Sequence, residues 1–220
     1  MMKYFVAFVL LIASFLEGKA LEHKRVLVTG CGRSGTGYMC VFLKASGLDV
    51  HHEYMGADGS VSWLMGATVD EAPWGPLSKD FHFDHIFHQV RNPIKVIQSF
   101  YNVPMRATWE WIGRCLPQIK ADDPLLTKCA KYWVYWNKMV AKKAEWTFRI
   151  EDFDDDYQEL GRRLGIELKP EVLQKIGKKT NSKGPPQRVI TWKILKEELD
   201  PETYREVVKL ARHYKYPTKD

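Results

Sequence analysis

The stretch Val26-Leu-Val-Thr-Gly-Cys-Gly-Arg-Ser-Gly-Thr-Gly-Tyr-Met39 reads as a buried strand, a glycine-rich turn and the start of a helix. Val26 to Val28 are β-formers. Gly30, Gly32 and Gly35 allow backbone angles and close approaches that a side chain would block. From Thr36 onward, Met39, Val41, Phe42 and Leu43 fit a helix packing on a sheet. A strand, a tight loop and a helix N-terminus together make an anion site, because the first helical N–H groups lack partners and the helix dipole favours negative charge there.

Three anions compete for that site. A nucleoside triphosphate needs a P-loop with Lys and Ser/Thr after the second glycine; here Gly30 and Gly35 have the spacing, but Thr36 and Gly37 follow and the lysine is missing. A dinucleotide needs G-x-G-x-x-G, which Gly30, Gly32 and Gly35 match, with an acid about twenty residues on, a place that Glu53 fills. That reading implies an NAD(P)-dependent Rossmann-type oxidoreductase. The third reading uses the residues between the glycines. Arg33 supplies a fixed cationic fork, and Ser34 and Thr36 supply hydroxyls, which suits a tetrahedral oxyanion held without metal.

Asp84-His-Ile-Phe-His-Gln-Val-Arg-Asn-Pro-Ile-Lys-Val-Ile-Gln-Ser-Phe100 repeats the strand-to-helix pattern. Ile86 to Val90 read as a short buried strand. Arg91 then falls at its C-terminal end, where open α/β sheets bind ligands. Pro93 suits the first helical turn, and Ile94, Ile97 and Tyr101 share one helical face. Ser99 lies two turns into that helix, so Arg91 and Ser99 can converge on a second phosphate.

With both motifs in this order, the chain resembles the sulfotransferases that use 3′-phosphoadenosine 5′-phosphosulfate (PAPS), and is nearest their Golgi-type and bacterial-like branch. In that family a loop similar to Gly32-Arg-Ser-Gly-Thr36 wraps the 5′-phosphosulfate, and a segment similar to Arg91-Asn-Pro with a later serine binds the 3′-phosphate. Trp146-Thr-Phe-Arg-Ile-Glu-Asp-Phe153 looks like the family's later strand ending in an acidic pair. Asn181-Ser-Lys-Gly184 looks like the loop that closes over the adenosine end.

The resemblance implies PAPS as cofactor, bound by Gly32, Arg33, Ser34, Gly35, Thr36, Gly37, Arg91, Ser99, Lys183 and Gly184. The acceptor would be a hydroxyl on a small molecule or a glycan. Sulfuryl transfer parallels phosphoryl transfer, in which the protein positions the moving group and neutralises charge. Arg33 would serve catalysis as well as binding.

A hydroxyl acceptor also needs a base. The resemblance points to Glu53, with His52 or His51 as the rival, since histidine titrates nearest neutral pH. Strand alternation over Asp49–Glu53 sends His51 and Glu53 to one face and His52 to the other. No Asp/Glu/His spacing demands a metal, and none is expected. A sulfotransferase-like protein that binds the anion without turnover is the non-enzymatic alternative, should neither Glu53 nor the histidines act as base.

Strands alternating with helices imply an α/β fold of P-loop-like, three-layer type, with a mostly parallel central sheet flanked by helices. A net charge of +6 suits an anionic cofactor. The basic residues are dispersed and no nucleic-acid module is present, so nucleic acid is not an expected partner.

Met1-Met-Lys3, an apolar run from Tyr4 to Leu16 and small residues at Gly18 and Ala20 look like a signal peptide or a short membrane anchor. The chain then divides into residues 1–20 and one domain over residues 21–220. PAPS must be present where the enzyme works, which favours the lumen of the Golgi in the secretory pathway, with possible membrane contact through the leader. A bacterial source would instead keep the domain cytoplasmic.

Other expectations concern packing. Tyr54 to Phe83 should hold irregular loops and one short helix near Ser60–Met65. Arg106 to Ala144 should be helical, with an aromatic core face and Trp109 or Trp111 available to an acceptor. Cys115 and Cys129 either bridge or remain buried thiols. Two of Asp84, His85 and His88 should be structural. Asp154-Asp-Asp156 should cap a helix over Tyr157–Leu164, and Pro170 and Asp200-Pro201 should start two more.

Overall fold

The computed structural model describes residues 25–67, 82–102, 106–176 and 188–220. The leader reading for residues 1–20 and the expectations for Lys183 and Gly184 lie outside the described residues. Among the described residues, no helix is long and apolar enough to cross a membrane.

In chain order the elements are β1 (Val26–Gly30), α1 (Thr36–Ala45), β2 (Val50–His52), β3 (Gly59–Val61), a 3-10 turn (Leu64–Gly66), β4 (His85–Val90), α2 (Pro93–Tyr101) and α3 (Arg106–Cys115). There follow α4 (Leu125–Ala141), β5 (Trp146–Arg149), a second 3-10 turn (Ile150–Asp152), α5 (Phe153–Leu164), α6 (Pro170–Lys175), α7 (Trp192–Glu198) and α8 (Pro201–His213). The five strands form one sheet in the order β2-β3-β1-β4-β5, and every pairing is parallel. The fold is therefore the three-layer α/β arrangement that the alternation of elements implies.

Each layer follows from which side chains the strands present. Val26, Val28, Val50, Val61, Phe87 and Phe148 pack with Met39, Phe42 and Leu43 of α1 and with Phe153 and Leu160 of α5. Val90 turns to the other layer, where α2, α4 and α8 supply Ile97, Phe100, Trp133, Trp136 and Val207. β1 is buried along its whole length, as a central parallel strand must be. Trp133 and Trp136 are fully buried on α4. Rings of this size each remove about 150–250 Å² from water, on the order of 4–6 kcal/mol apiece at about 25 cal/mol per Å².

Several local expectations hold. Pro93 occupies the first turn of α2, which Asn92 caps, without any sign of that role in the sequence reading, by accepting from the Lys95 N–H. Pro170 opens α6. Asp200 caps α8 through the N–H groups of Glu202 and Thr203.

Others are corrected. α5 begins at Phe153, so Asp154, Asp155 and Asp156 lie in its first turn rather than at its cap, where their charge still favours the positive helix end. Val41 is 42% exposed, because Met39, Phe42 and Leu43 take the buried stripe of α1 and position 41 falls outside it. The short helix expected near Ser60–Met65 is a strand, β3, followed by the Leu64–Gly66 turn.

β3 slots between β1 and β2, so β2 is the sheet edge rather than β1's neighbour. Its connection, residues 53–58, is far shorter than the dozen or more residues that usually join parallel strands. Asp49 and Asp58 make it possible: Asp58 accepts from the Asp49 N–H, and Asp49 accepts from the Ala57 N–H. Gly59 is obligatory here, since its φ is +124° and a Cβ would fall 2.0 Å from the Val26 carbonyl oxygen.

Candidate active site

The chain leaves β1 for β3 and β2 on one side of the sheet and for β4 and β5 on the other. β1 is thus the point where the order reverses, and ligands bind beyond the strand C-termini at such a point. Both sequence motifs end there. The loop after β1 carries Arg33 and Ser34, and Arg91 follows the last residue of β4.

The loop is held by its neighbours. The Ser34 N–H bonds the Cys31 carbonyl at 3.0 Å, and Gln89 Nε2 donates to the Ser34 carbonyl at 2.7 Å. Arg33 sits in the left-handed region with φ +71°, a conformation costing roughly 1–2 kcal/mol for a residue with a Cβ. Gly35 caps α1 at φ +99° with no side-chain cap bond. Among the described residues, the first-turn N–H groups of Thr36 and Gly37 therefore have no helical or side-chain cap partner.

The two guanidinium groups work on one short arc. Arg91 Nη1 donates to the Arg33 carbonyl at 2.8 Å, while Arg33 Nε donates to Ser99 Oγ at 2.8 Å. Arg33 thus bridges Ser99 and Arg91, a contact the sequence did not lead us to expect, since Arg91 and Ser99 alone were read as converging. Burial lowers the proton affinity of Arg91; Glu151 opposes that and Arg33 adds to it.

A cleft of about 280 Å³ opens beside the loop, lined among others by Ser34, Gly35, Arg91, Lys95, Ile150 and Glu151. Ser34 Oγ is fully buried and has no hydrogen-bond partner among the described residues. A buried polar atom without a partner is costly unless a ligand or water completes it. Ser34 Oγ, on the same cleft as Arg91, is therefore compatible with an anionic ligand.

Gly32 departs from the expectation. Its N–H is spent on Tyr132 Oη at 2.7 Å, so it shapes the loop instead of offering a donor. Tyr132 is itself buried, and burial pushes its phenol well above the usual range. Nothing in the sequence distinguished Tyr132 from the other aromatics of α4. Gln89 was equally silent, its identity hidden inside a buried strand.

The expected alternation of His51, His52 and Glu53 is also corrected. Glu53 has φ +68°, which ends β2 and turns its side chain away from the strand pattern. Its Oε2 accepts from Ser62 Oγ at 2.5 Å, and its Oε1 from the Trp63 N–H at 3.4 Å. His52 joins it: Nε2 lies 3.3 Å from Glu53 Oε1 and 3.1 Å from Thr36 Oγ1. His51 points elsewhere, to Asp49 at 3.2 Å and to a stacking contact with Tyr54. Burial raises the Glu53 carboxyl above its ordinary value, against the lowering effect of the Ser62 donor and of His52.

His88, His85 and Trp111 are structural. His88 is fully buried between Thr147 and Asn137, and burial lowers it to about 4. His85 pairs with Glu145 at 2.7 Å. Trp111 is 3% exposed and belongs to the core, whereas Trp109 is half-buried. Cys115 and Cys129 are buried thiols not joined by a disulfide. Among the described residues, no group of three or more His, Cys, Asp or Glu could hold a metal ion.

No family model matches the chain, and no curated protein matches it. Among solved structures, it is similar to the crystal structure of mouse sulfotransferase SULT7A1 complexed with PAP, at 12% identity and a TM-score of 0.41 over 88% of this chain and 85% of that one. The match is distant on both measures.

Proposed function

We propose that this chain is a PAPS-dependent sulfotransferase acting on a hydroxyl of a glycan or a small molecule. The observation that carries the reading is the convergence of Arg33, Arg91 and Ser99 on one arc of loop, beside the buried and partnerless Ser34 Oγ. When bound, PAPS supplies the sulfuryl group and departs as adenosine 3′,5′-bisphosphate. Arg33, Ser34, Gly35 and the open amides of Thr36 and Gly37 neutralise charge at the 5′ end. Arg91 and Ser99 hold the 3′-phosphate, and Lys183 and Gly184 are further proposed contacts of the cofactor. The His52–Glu53 pair receives the acceptor's proton. The same proposal takes the apolar run Tyr4–Leu16 as a leader into the secretory pathway, with work in the Golgi lumen where PAPS is present, or in the cytoplasm for a bacterial source.

Calorimetry with adenosine 3′,5′-bisphosphate and with NAD tests this. Binding of the bisphosphate and not of NAD is expected. NAD binding without bisphosphate binding would replace the proposal with the oxidoreductase reading. Bisphosphate binding without transfer of labelled sulfate to any of a panel of glycans, tyrosyl peptides and small alcohols would leave a binding protein.

A further inference from the structure

Gln89 is a fully buried polar residue of β4, paired with Gly30 of β1 on one side and with Phe148 of β5 on the other. Its Nε2 donates to the Ser34 carbonyl at 2.7 Å, and its Oε1 has no partner among the described residues. The reverse orientation of the amide would set two carbonyl oxygens against each other, so the contact with Ser34 orients the side chain. Arg91, two residues on, treats the preceding carbonyl in the same way, donating to the Arg33 oxygen at 2.8 Å. Successive loop carbonyls are thus drawn toward the end of β4.

A trans peptide sends its N–H opposite its C=O, so the Gly35 N–H points away from Gln89. Among the described residues that N–H has no hydrogen-bond partner, and Ser34 and Gly35 both line the cleft that Arg91 shares. The peptide between Ser34 and Gly35 needs a clamp. Glycine takes either sign of φ with little penalty, so this peptide could turn over and present its oxygen to an anion. Gly35 holds φ +99°, and a Cβ there would lie 3.2 Å from Gln89 Nε2 and 3.3 Å from Ile150 Cγ1. Gln89 therefore fills the β4 side of the peptide.

We infer that Gln89 is a positioning residue that holds the Ser34–Gly35 peptide with its oxygen turned inward and its N–H presented to the donor nucleotide. This rests on the transferase reading and needs no contact between Gln89 and the nucleotide. A turned peptide would lose one donor and gain one repelling oxygen, so a single buried amide decides whether the loop attracts the anion at this point.

Serine labelled with carbon-13 at its carbonyl and glycine labelled with nitrogen-15 leave two linked signals in the full chain, because Ser–Gly occurs only at 34–35 and 46–47. Gly47, which donates to the Lys44 carbonyl at the other end of α1, is the internal reference. On addition of adenosine 3′,5′-bisphosphate, the wild-type Gly35 amide proton should move downfield as it bonds a charged oxygen, while the Gly47 signal stays. Gln89→Met and Gln89→Leu remove the donor and keep the bulk. Both should weaken bisphosphate binding by roughly 10–150-fold, the scale of one hydrogen bond to a charged group. Both should also lose the Gly35 shift while the Gly47 signal still reports a folded chain. Wild-type affinity and an intact Gly35 shift in the variants overturn the inference. So does wild-type protein that binds the bisphosphate with a stationary Gly35 signal, a result that needs no variant. Wild-type protein that binds no bisphosphate instead removes the transferase reading itself.

Discussion

The two strand-to-helix junctions look alike in sequence and differ in how their helices are closed. At β4–α2 the chain seals the helix itself. Asn92 accepts from the Lys95 N–H, and Glu151 accepts from the Asn92 N–H at 3.1 Å while its other oxygen accepts from Tyr216. At β1–α1, Gly35 caps without a side chain, and Ser34 Oγ waits without a partner. A carboxylate already stands at the N-terminal end of α2, so in the proposed function that junction acts through Arg91 rather than through helix amides. The first junction is the one left open to a ligand.

The largest test of this contrast removes the support beneath the second junction. Trp133 Nε1 donates to the Arg91 carbonyl at 3.1 Å, and its ring is fully buried. Trp133→Ala should destabilise by about 3–5 kcal/mol, read from denaturant midpoints. Arg91→Ala should weaken adenosine 3′,5′-bisphosphate binding by about 1.5–3 kcal/mol, the scale of a charge-assisted hydrogen bond; unchanged affinity in calorimetry would remove Arg91 from the site. Asn92→Ala should lower stability by about 1 kcal/mol and leave bisphosphate affinity unchanged. A large affinity loss there would show that the sealed helix end does bind anion.

The smallest effect concerns Glu53. Its folded pKa is raised by burial, so between the unfolded and folded values the folded state holds the extra proton, and stability falls as pH rises through that window. Glu53→Gln should therefore gain thermal stability relative to wild type at pH 7–8, by under about 1 kcal/mol given the partial exposure, with the gain vanishing as pH drops below the carboxylate range. A gain independent of pH, measured by thermal melts, would assign it to packing.

The central features were legible because they obey local rules. A β-branched run followed by glycines and a helix start can only turn at β1, and Pro93, Pro170 and Asp200 each announce a helix by their own backbone chemistry. β3 was not legible. Gly59-Ser-Val61 has no strand signature of its own, and it is a strand because β1 and β2 offer it pairing on both sides. The placement of Glu53 was hidden for a related reason. A left-handed φ at a glutamate has no mark in the sequence, and without it the residue would share a face with His51. Tyr132 meets the loop across 100 positions of chain, a contact no local pattern encodes.

The short crossing between β2 and β3 has one further result. Everything that would handle a proton, from His52 and Glu53 to Ser62 and Met65, belongs to a single unbroken ribbon, residues 49–66, laid along the margin of the sheet. The residues proposed to grip phosphate are anchored at the middle strands. A molecule organised this way could exchange its acceptor chemistry as one cassette, by replacing that ribbon, while its grip on the donor nucleotide stayed as it was.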